Sequence, residues 1–474
     1  MIQPVPPGTV ITTDVPSRLD RLAWSRWHTR VVIALGITWT LDGLEASLIA
    51  NLAPVLVEAA TLHLSATQVG LSSTVYLVGQ VLGALVFGKL TDQLGRKRLF
   101  LVTLAVYLGA TALSGLAPNF GVFAALRFLA GTGIGGEYAA INSAIDELIP
   151  ARVRGHIDLA INGSYWVGVA MGAGLTEILL NPAYVPHAWG WRVAFGLGAV
   201  LGLVILLVRR DLPESPRWFL MHGRPDDADA AMAAIERKAG APVAEAYPIQ
   251  LTVTGSVGLL YAARILLRRH RRRTVLGLAL MIGQTFFYNA IFFSFALILS
   301  QVYGVPEGHI GRYMIPFAAG NFLGPVLLGR LFDTTGRRVM IATTYIASGL
   351  LLVATGWAFR QGWLDATSQT VCWCVVFFFA SAAASSAYLT VSELFPVEVR
   401  GMVIALFYAF ATALGAAAPA IFGAFVDMYR HTLNRTPLFL GYLLGAVLMV
   451  GAGVVARLLG VDAERKSLEH LAEI

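Results

Sequence analysis

The chain has 474 residues, of which 57% are hydrophobic and only 13% are Asp, Glu, Lys or Arg. Too little polar side chain remains to clothe a water-soluble surface of that size, so its solvent is lipid. The net charge of +7 reflects basic loops and anionic headgroups; nothing in it resembles a nucleic-acid module, and no nucleic-acid partner is expected.

In chain order, residues 1–30 are polar and carry Arg18, Arg21, Arg26 and Arg30 without a cleavage site, so the first span is expected to act as its own signal. A bilayer crossing needs about 20 apolar residues. Such runs predict helices near 31–57, 68–88, 98–117, 121–146, 156–180 and 191–208. Residues 209–273 form one long loop, in which Val257 to Leu267 is apolar and runs into Arg268-Arg269-His270-Arg271-Arg272-Arg273, the pattern of a short interfacial helix. Six more helices are predicted near 274–301, 313–332, 339–359, 368–392, 401–426 and 437–458, followed by a tail. Most of the 35 Lys and Arg fall on one side of this alternation, which sets the loops that carry them, and both termini, in the cytoplasm.

Cys372 and Cys374 sit in an apolar span and read as packing residues. His28, His63, His156, His187 and His309 read as loop or boundary residues without metal spacing, and there is no Walker loop, so neither a metal, nor a cofactor, nor ATP is expected.

Two phrases occur twice. Gly88-Lys89-Leu90-Thr91-Asp92-Gln93-Leu94-Gly95-Arg96-Lys97 returns as Gly329-Arg330-Leu331-Phe332-Asp333-Thr334-Thr335-Gly336-Arg337-Arg338. Glu147-Leu148-Ile149-Pro150-Ala151-Arg152-Val153-Arg154-Gly155 returns as Glu393-Leu394-Phe395-Pro396-Val397-Glu398-Val399-Arg400-Gly401. The two halves therefore share one architecture. These phrases, with Pro213-Glu214-Ser215-Pro216-Arg217-Trp218-Phe219-Leu220 after the sixth span, resemble signatures of the major facilitator superfamily, in its sugar-porter, organic-ion and metabolite:proton symporter branches. The resemblance covers nearly the whole chain. It implies an all-α membrane protein of 12 transmembrane helices in two pseudo-symmetric six-helix bundles, at 31–208 and 274–458. An N-terminal segment (1–30), a linker (209–273) and a tail (459–474) then lie in the cytoplasm. It also implies that Asp92, Arg96, Glu147, Arg154, Asp333, Arg337, Glu393 and Arg400 form a charge network that latches the halves at the inner face while the cavity is open outward.

Ionisable groups at membrane depth are functional candidates by default: Asp42, Glu45, Arg127, Glu137 and Asp158. Asp42 and Glu45 are three apart on one helix face, and neighbouring carboxylates disfavour double ionisation, as a proton-coupling site requires. The phrase resembles the acid-bearing first span of metabolite:proton and sugar:proton symporters, with Glu45 in the position of their titrating residue. Arg127 opens a glycine-rich phrase in the fourth span; it either pairs with Glu45 or holds a substrate carboxylate. Gln284 and Asn289 resemble the seventh-span amides of sugar porters, and Asn162 stands where those carry a fifth-span Gln. Tyr388 replaces their cavity Trp, and Tyr165, Trp166, Phe286, Phe287 and Tyr288 add aromatic surface.

The expected function is proton-coupled uptake of a small polar metabolite, an organic acid or sugar, by a monomer in the inner membrane whose partners are substrate, protons and lipids. A proton antiporter exporting organic cations and a non-transporting receptor are the alternatives. No enzyme activity is expected.

Overall fold

The computed structural model describes residues 9–94, 96–181, 183–209, 216–221, 223–240, 248–252, 266, 268, 270–394 and 397–460. In chain order its elements are β1 (Val10–Thr13), α1 (Val15–Arg21), α2 (Arg26–Val57), α3 (Ala66–Leu94), α4 (Arg96–Ser114), α5 (Phe120–Leu148), α6 (Ala151–Leu179) and α7 (His187–Arg209). Then come α8 (Pro216–Met221), α9 (Pro225–Ala239), β2 (Ile249–Thr252), α10 (Arg271–Gln301), α11 (Ile310–Thr334), α12 (Arg337–Arg360) and α13 (Ala366–Leu394). The last are α14 (Val397–Gly415), α15 (Ala417–Thr432) and α16 (Thr436–Leu459). Backbone groups in hydrocarbon must find partners within their own segment, which makes each apolar run a helix. All twelve predicted spans are helical, the eleventh being broken at Ala416 into α14 and α15.

Helix ends depart from the predictions by a few residues. The first helix starts at Arg26 because Ser25 and His28 form a reciprocal capping box. His28 is therefore no loop residue: it is buried, stacked on Trp24 and edge-on to Trp27.

Among the described residues the all-α expectation has one exception. β1 pairs antiparallel with β2, Val10 opposite Thr252 and Thr13 opposite Ile249, so the N-terminal segment and the linker fold together. Arg18 donates from Nε and Nη2 to the two carboxylate oxygens of Glu236 at 2.8 and 2.7 Å, and Glu236 holds this guanidinium above its ordinary pKa. Val15, Leu19, Leu22, Leu220, Ala228, Met232 and Ile235 form a core continuous with Trp27, Val31, Leu148 and Ile149 at the terminus-side end of the first bundle. Val257 to Leu267, except Leu266, and the tail beyond Gly460 lie outside the described residues.

Within the first bundle, the paired helices approach through glycines, as small residues permit in lipid. A Cβ on Gly131 would lie 2.0 Å from the carbonyl oxygen of Tyr76, and one on Gly135 2.0 Å from that of Gln80, so α3 and α5 touch backbone to backbone. Gly43 and Gly168 do the same between α2 and α6. We expect Gly135→Ala to lower stability by about 1–3 kcal/mol through overpacking, measurable as a fall in Tm in detergent. An unchanged Tm would mean that α3 and α5 re-space freely. The two halves meet along α3 and α15, α6 and α11, and α2 and α10.

Candidate substrate and proton site

Four helices of the first bundle enclose an ion pair. Glu45 on α2 and Arg127 on α5 are 1% and 0% exposed, and Arg127 Nη1 lies 3.6 Å from Glu45 Oε1. Thr111 on α4 donates its hydroxyl to the same Oε1. Ser114, one turn further on, accepts from Arg127 Nε at 3.1 Å and Nη2 at 2.6 Å. The guanidinium also lies over the rings of Phe195, at 4.9 Å, and Phe123, at 5.9 Å. Arg127 thus has neutral partners beside its carboxylate, so neutralising Glu45 leaves Nε and Nη2 hydrogen-bonded to Ser114 and the guanidinium over two rings.

Asp42 is 2% exposed and one turn away on the same face, yet it meets different neighbours. Tyr165 of α6 and Tyr408 of α14 lie within its electrostatic reach, and Tyr76 of α3 lies within reach of both carboxylates. The face read from sequence is real, and the structure divides it: Glu45 turns to α4 and α5, Asp42 to the seam between the halves.

That seam is aromatic. Trp39 meets Tyr165 edge-on at 6.3 Å, and Tyr165 meets Trp166 at 5.3 Å. Trp166, on α6, reaches Tyr288 and Phe292 of α10 at 6.0 and 6.1 Å and Phe317 of α11 at 6.0 Å. Tyr288 continues to Phe377 at 5.0 Å and donates to Asn321 Oδ1 at 3.0 Å.

Polar groups punctuate this wall. Gln284 donates to Thr285 Oγ1 at 2.9 Å and lies beside the Tyr388 hydroxyl. Gln284 is 5% exposed while Tyr388 is 37% exposed. Asn289 Nδ2 is buried with no hydrogen-bond partner among the described residues, a donor held ready. Asn162 is half-buried one turn before Trp166 on α6.

The structure thus brings Glu45 to Arg127 and gathers Asp42, Tyr165, Gln284, Asn289 and Tyr388 near the seam. Glu137, Asp158 and the gating residues Asp92, Arg96, Glu147, Arg154, Asp333, Glu393 and Arg400 lie outside the described side chains; Arg337 is half-buried at the start of α12. A separate cavity of about 320 Å³, lined by His309, Arg312, Tyr313, Thr367, Thr370 and Cys374 among others, lies at the N-terminal ends of α11 and α13. Sequence reasoning missed Thr111, Ser114, Trp39, Asn321 and Tyr408. Thr111 and Ser114 carried one usable signal: two hydroxyls three apart, on one face of an otherwise apolar helix.

Residues 40–472 match the family model described as sugar (and other) transporter. The niacin transporter of Acinetobacter baylyi is 28% identical over 464 residues, 97% of this chain and 99% of that protein. A putative metabolite transport protein of Bacillus subtilis, YyaJ, is 30% identical over 353 residues, 73% of this chain and 76% of that protein. Among solved structures, a D-xylose-proton symporter superposes with a TM-score of 0.71 at 18% identity, over 93% of this chain and 100% of that one. At that identity the likeness speaks for the fold, the two six-helix halves of the major facilitator architecture.

Proposed function

Since this chain belongs to the sugar (and other) transporter family of the major facilitator superfamily, whose members are multi-pass membrane transporters rather than enzymes, we propose that it is a proton-coupled symporter importing a small flat-ring acid of the niacin kind. The observation that carries the proton part is the Glu45–Arg127 pair, buried in the first bundle. A buried pair resists loss of either charge; here Thr111, Ser114 and two aromatic rings surround it, so Glu45 can take and release a proton while Arg127 stays charged. Asp42 is the second proton-coupling carboxylate and Glu137 the third.

The substrate part rests on the aromatic wall between the halves and on the likeness to the niacin transporter over nearly the whole of both chains. A heteroaromatic ring lies flat against Trp166 and Tyr288. Its carboxylate takes donors from Asn289, Gln284 and Tyr388, with Asn162 and Tyr165 at the edge. These neutral donors suit an acid that travels with a proton, since no unshared cation is then required. The halves at 31–208 and 274–458 rock about this site, and the inner charges Asp92, Arg96, Glu147, Arg154, Asp333, Arg337, Glu393 and Arg400 latch them while the outer side is open. The protein works as a monomer in the inner membrane with both termini in the cytoplasm.

Purified protein in proteoliposomes with an acid outer phase should accumulate labelled nicotinate, and collapse of the gradient should release it. In detergent, nicotinate at a hundred times its Kd should stabilise the fold by about 2.7 kcal/mol. Stabilisation by a sugar instead would make Gln284, Asn289 and Asn162 a hydroxyl-binding set, and proton-driven efflux of an organic cation would replace import by export.

A further inference from the structure

At the end of the bundle away from the termini, the outer end under the proposed topology, a carboxylate of one half caps a helix of the other. Asp427, on α15, accepts from the backbone N–H of Ala66 at 3.1 Å, the N–H of Thr67 at 2.8 Å and the hydroxyl of Thr67 at 2.6 Å. Those N–H groups belong to the first turn of α3, whose orphan donors a neighbouring Ser, Thr, Asn or Asp ordinarily satisfies. Here Ser65 and Gln68 form a local capping box, Gln68 N–H donating to Ser65 Oγ at 3.1 Å and Ser65 N–H to Gln68 Oε1 at 2.9 Å, while the remaining donors, on Ala66 and Thr67, are taken by a carboxylate of the opposite bundle at the positive end of α3.

The contact continues inward along the same seam. A Cβ on Gly423 would lie 2.4 Å from the carbonyl oxygen of Ala66, and one on Gly70 2.2 Å from that of Pro419. A turn deeper, Thr74 donates its hydroxyl to the carbonyl of Ala416 at 2.6 Å, at the break between α14 and α15. The seam between α6 and α11 is fastened at the same end. Arg312 Nε lies 2.5 Å from Glu177 Oε1, and a Cβ on Gly311 would meet the carbonyl oxygen of Ala173 at 2.3 Å.

We propose that Asp427 is the outer latch of the transport cycle, a positioning residue that holds the outward path shut by capping α3 across the halves, with Arg312–Glu177 as a weaker second fastening. Exposure sets their order. The Asp427 side chain is 22% exposed and accepts three hydrogen bonds, whereas the Arg312 side chain is 65% exposed and its single pair is screened by water. Alternating access requires these contacts to break whenever the path opens outward; the Ser65–Gln68 box and the Arg430–Asp427 pair at 4.0 Å each lie within one half and survive that opening. Weakening Asp427 therefore shifts the population toward the outward-open state.

The test needs no knowledge of the substrate, so its failure is separate from failure of the function proposed above. In a Cys372→Ala/Cys374→Ala background, Ser73→Cys places a thiol on α3 beneath the cap, where Ser73 is buried. Labelling by an impermeant maleimide from the outer side should speed up several-fold when Asp427→Asn or Asp427→Ala is added. A second reporter, Thr390→Cys on the inner half of α13, should label more slowly from the inner side in the same variants. Glu177→Gln should move both rates in the same directions by less. Faster labelling at both ends would mean simple loosening of the fold and would overturn the latch, as would unchanged labelling.

A cross-link tests the same contact in the opposite sense, by holding it shut. Oxidising a Thr67→Cys/Asp427→Cys pair should abolish outer labelling of Ser73→Cys, and reductant should restore it. Labelling that persists through the cross-link would overturn the assignment.

Discussion

Replacing Glu45 by Gln should abolish proton-driven accumulation while substrate exchange continues. For one proton per substrate, a gradient of one pH unit sustains roughly tenfold accumulation, because 1.4 kcal/mol is a factor of ten; the variant should sustain none, and its internal substrate should settle at the external concentration. The geometry separates the two activities. Glu45 Oε1 faces Arg127 Nη1 at 3.6 Å and receives the Thr111 hydroxyl, away from the aromatic wall. A Gln there imitates the protonated acid in shape and charge, so the cycle that needs only the neutral form is spared. Arg127 retains Ser114 and the face of Phe195, which limits the penalty of about 3–5 kcal/mol for breaking a buried pair. Arg127→Gln should be more damaging, since it leaves the carboxylate buried without its cation. Counterflow of labelled substrate and an entrapped pH dye, read on the same proteoliposomes, decide the matter. Substrate-driven proton flux that persists in the Glu45 variant would move the coupling to Asp42 or Glu137.

The charges at membrane depth were legible because lipid gives them no other excuse: Glu45 and Arg127 were visible from sequence, and the structure places them together. Twelve spans were legible for the same reason, since backbone in hydrocarbon has one helical solution per apolar run. What escaped was whatever leaves no local mark. Thr111 and Ser114 could satisfy themselves on their own helix, and Ser114 also donates to the Ala110 carbonyl at 2.7 Å, so neither residue advertises a partner. The β1–β2 pair joins four-residue strands from opposite ends of the first half and linker, too short for any period to register. Asp427 sits near a span end, where a carboxylate reads as an ordinary boundary; only the fold brings it to the first turn of α3. His28 read as a boundary residue because a lone His carries no sign of the capping box that buries it.

Trp166→Ala should weaken binding of a flat-ring acid while leaving an aliphatic acid of equal charge little affected. The Trp166 ring belongs to the first half, and its neighbours Tyr288, Phe292 and Phe317 at 6.0, 6.1 and 6.0 Å belong to the second. The wall is complete only while the halves are apposed, so a ring lodged against it gains most in the closed arrangement. Truncation removes one stacking face, worth about 1–2 kcal/mol or roughly 5- to 30-fold in Kd. Trp166→Phe, which keeps a ring, should recover much of the affinity, and thermal-shift titrations of nicotinate against both variants measure the difference. The comparison also separates two causes of weak binding. Loss of a stacking face penalises the ring and spares the aliphatic acid, whereas a general loosening of the seam weakens both ligands alike. Equal affinity of wild type and Trp166→Ala for nicotinate would remove the ring from this wall and leave the site to the amides of Gln284, Asn289 and Asn162, whose hydrogen bonds favour hydroxyl-bearing substrates.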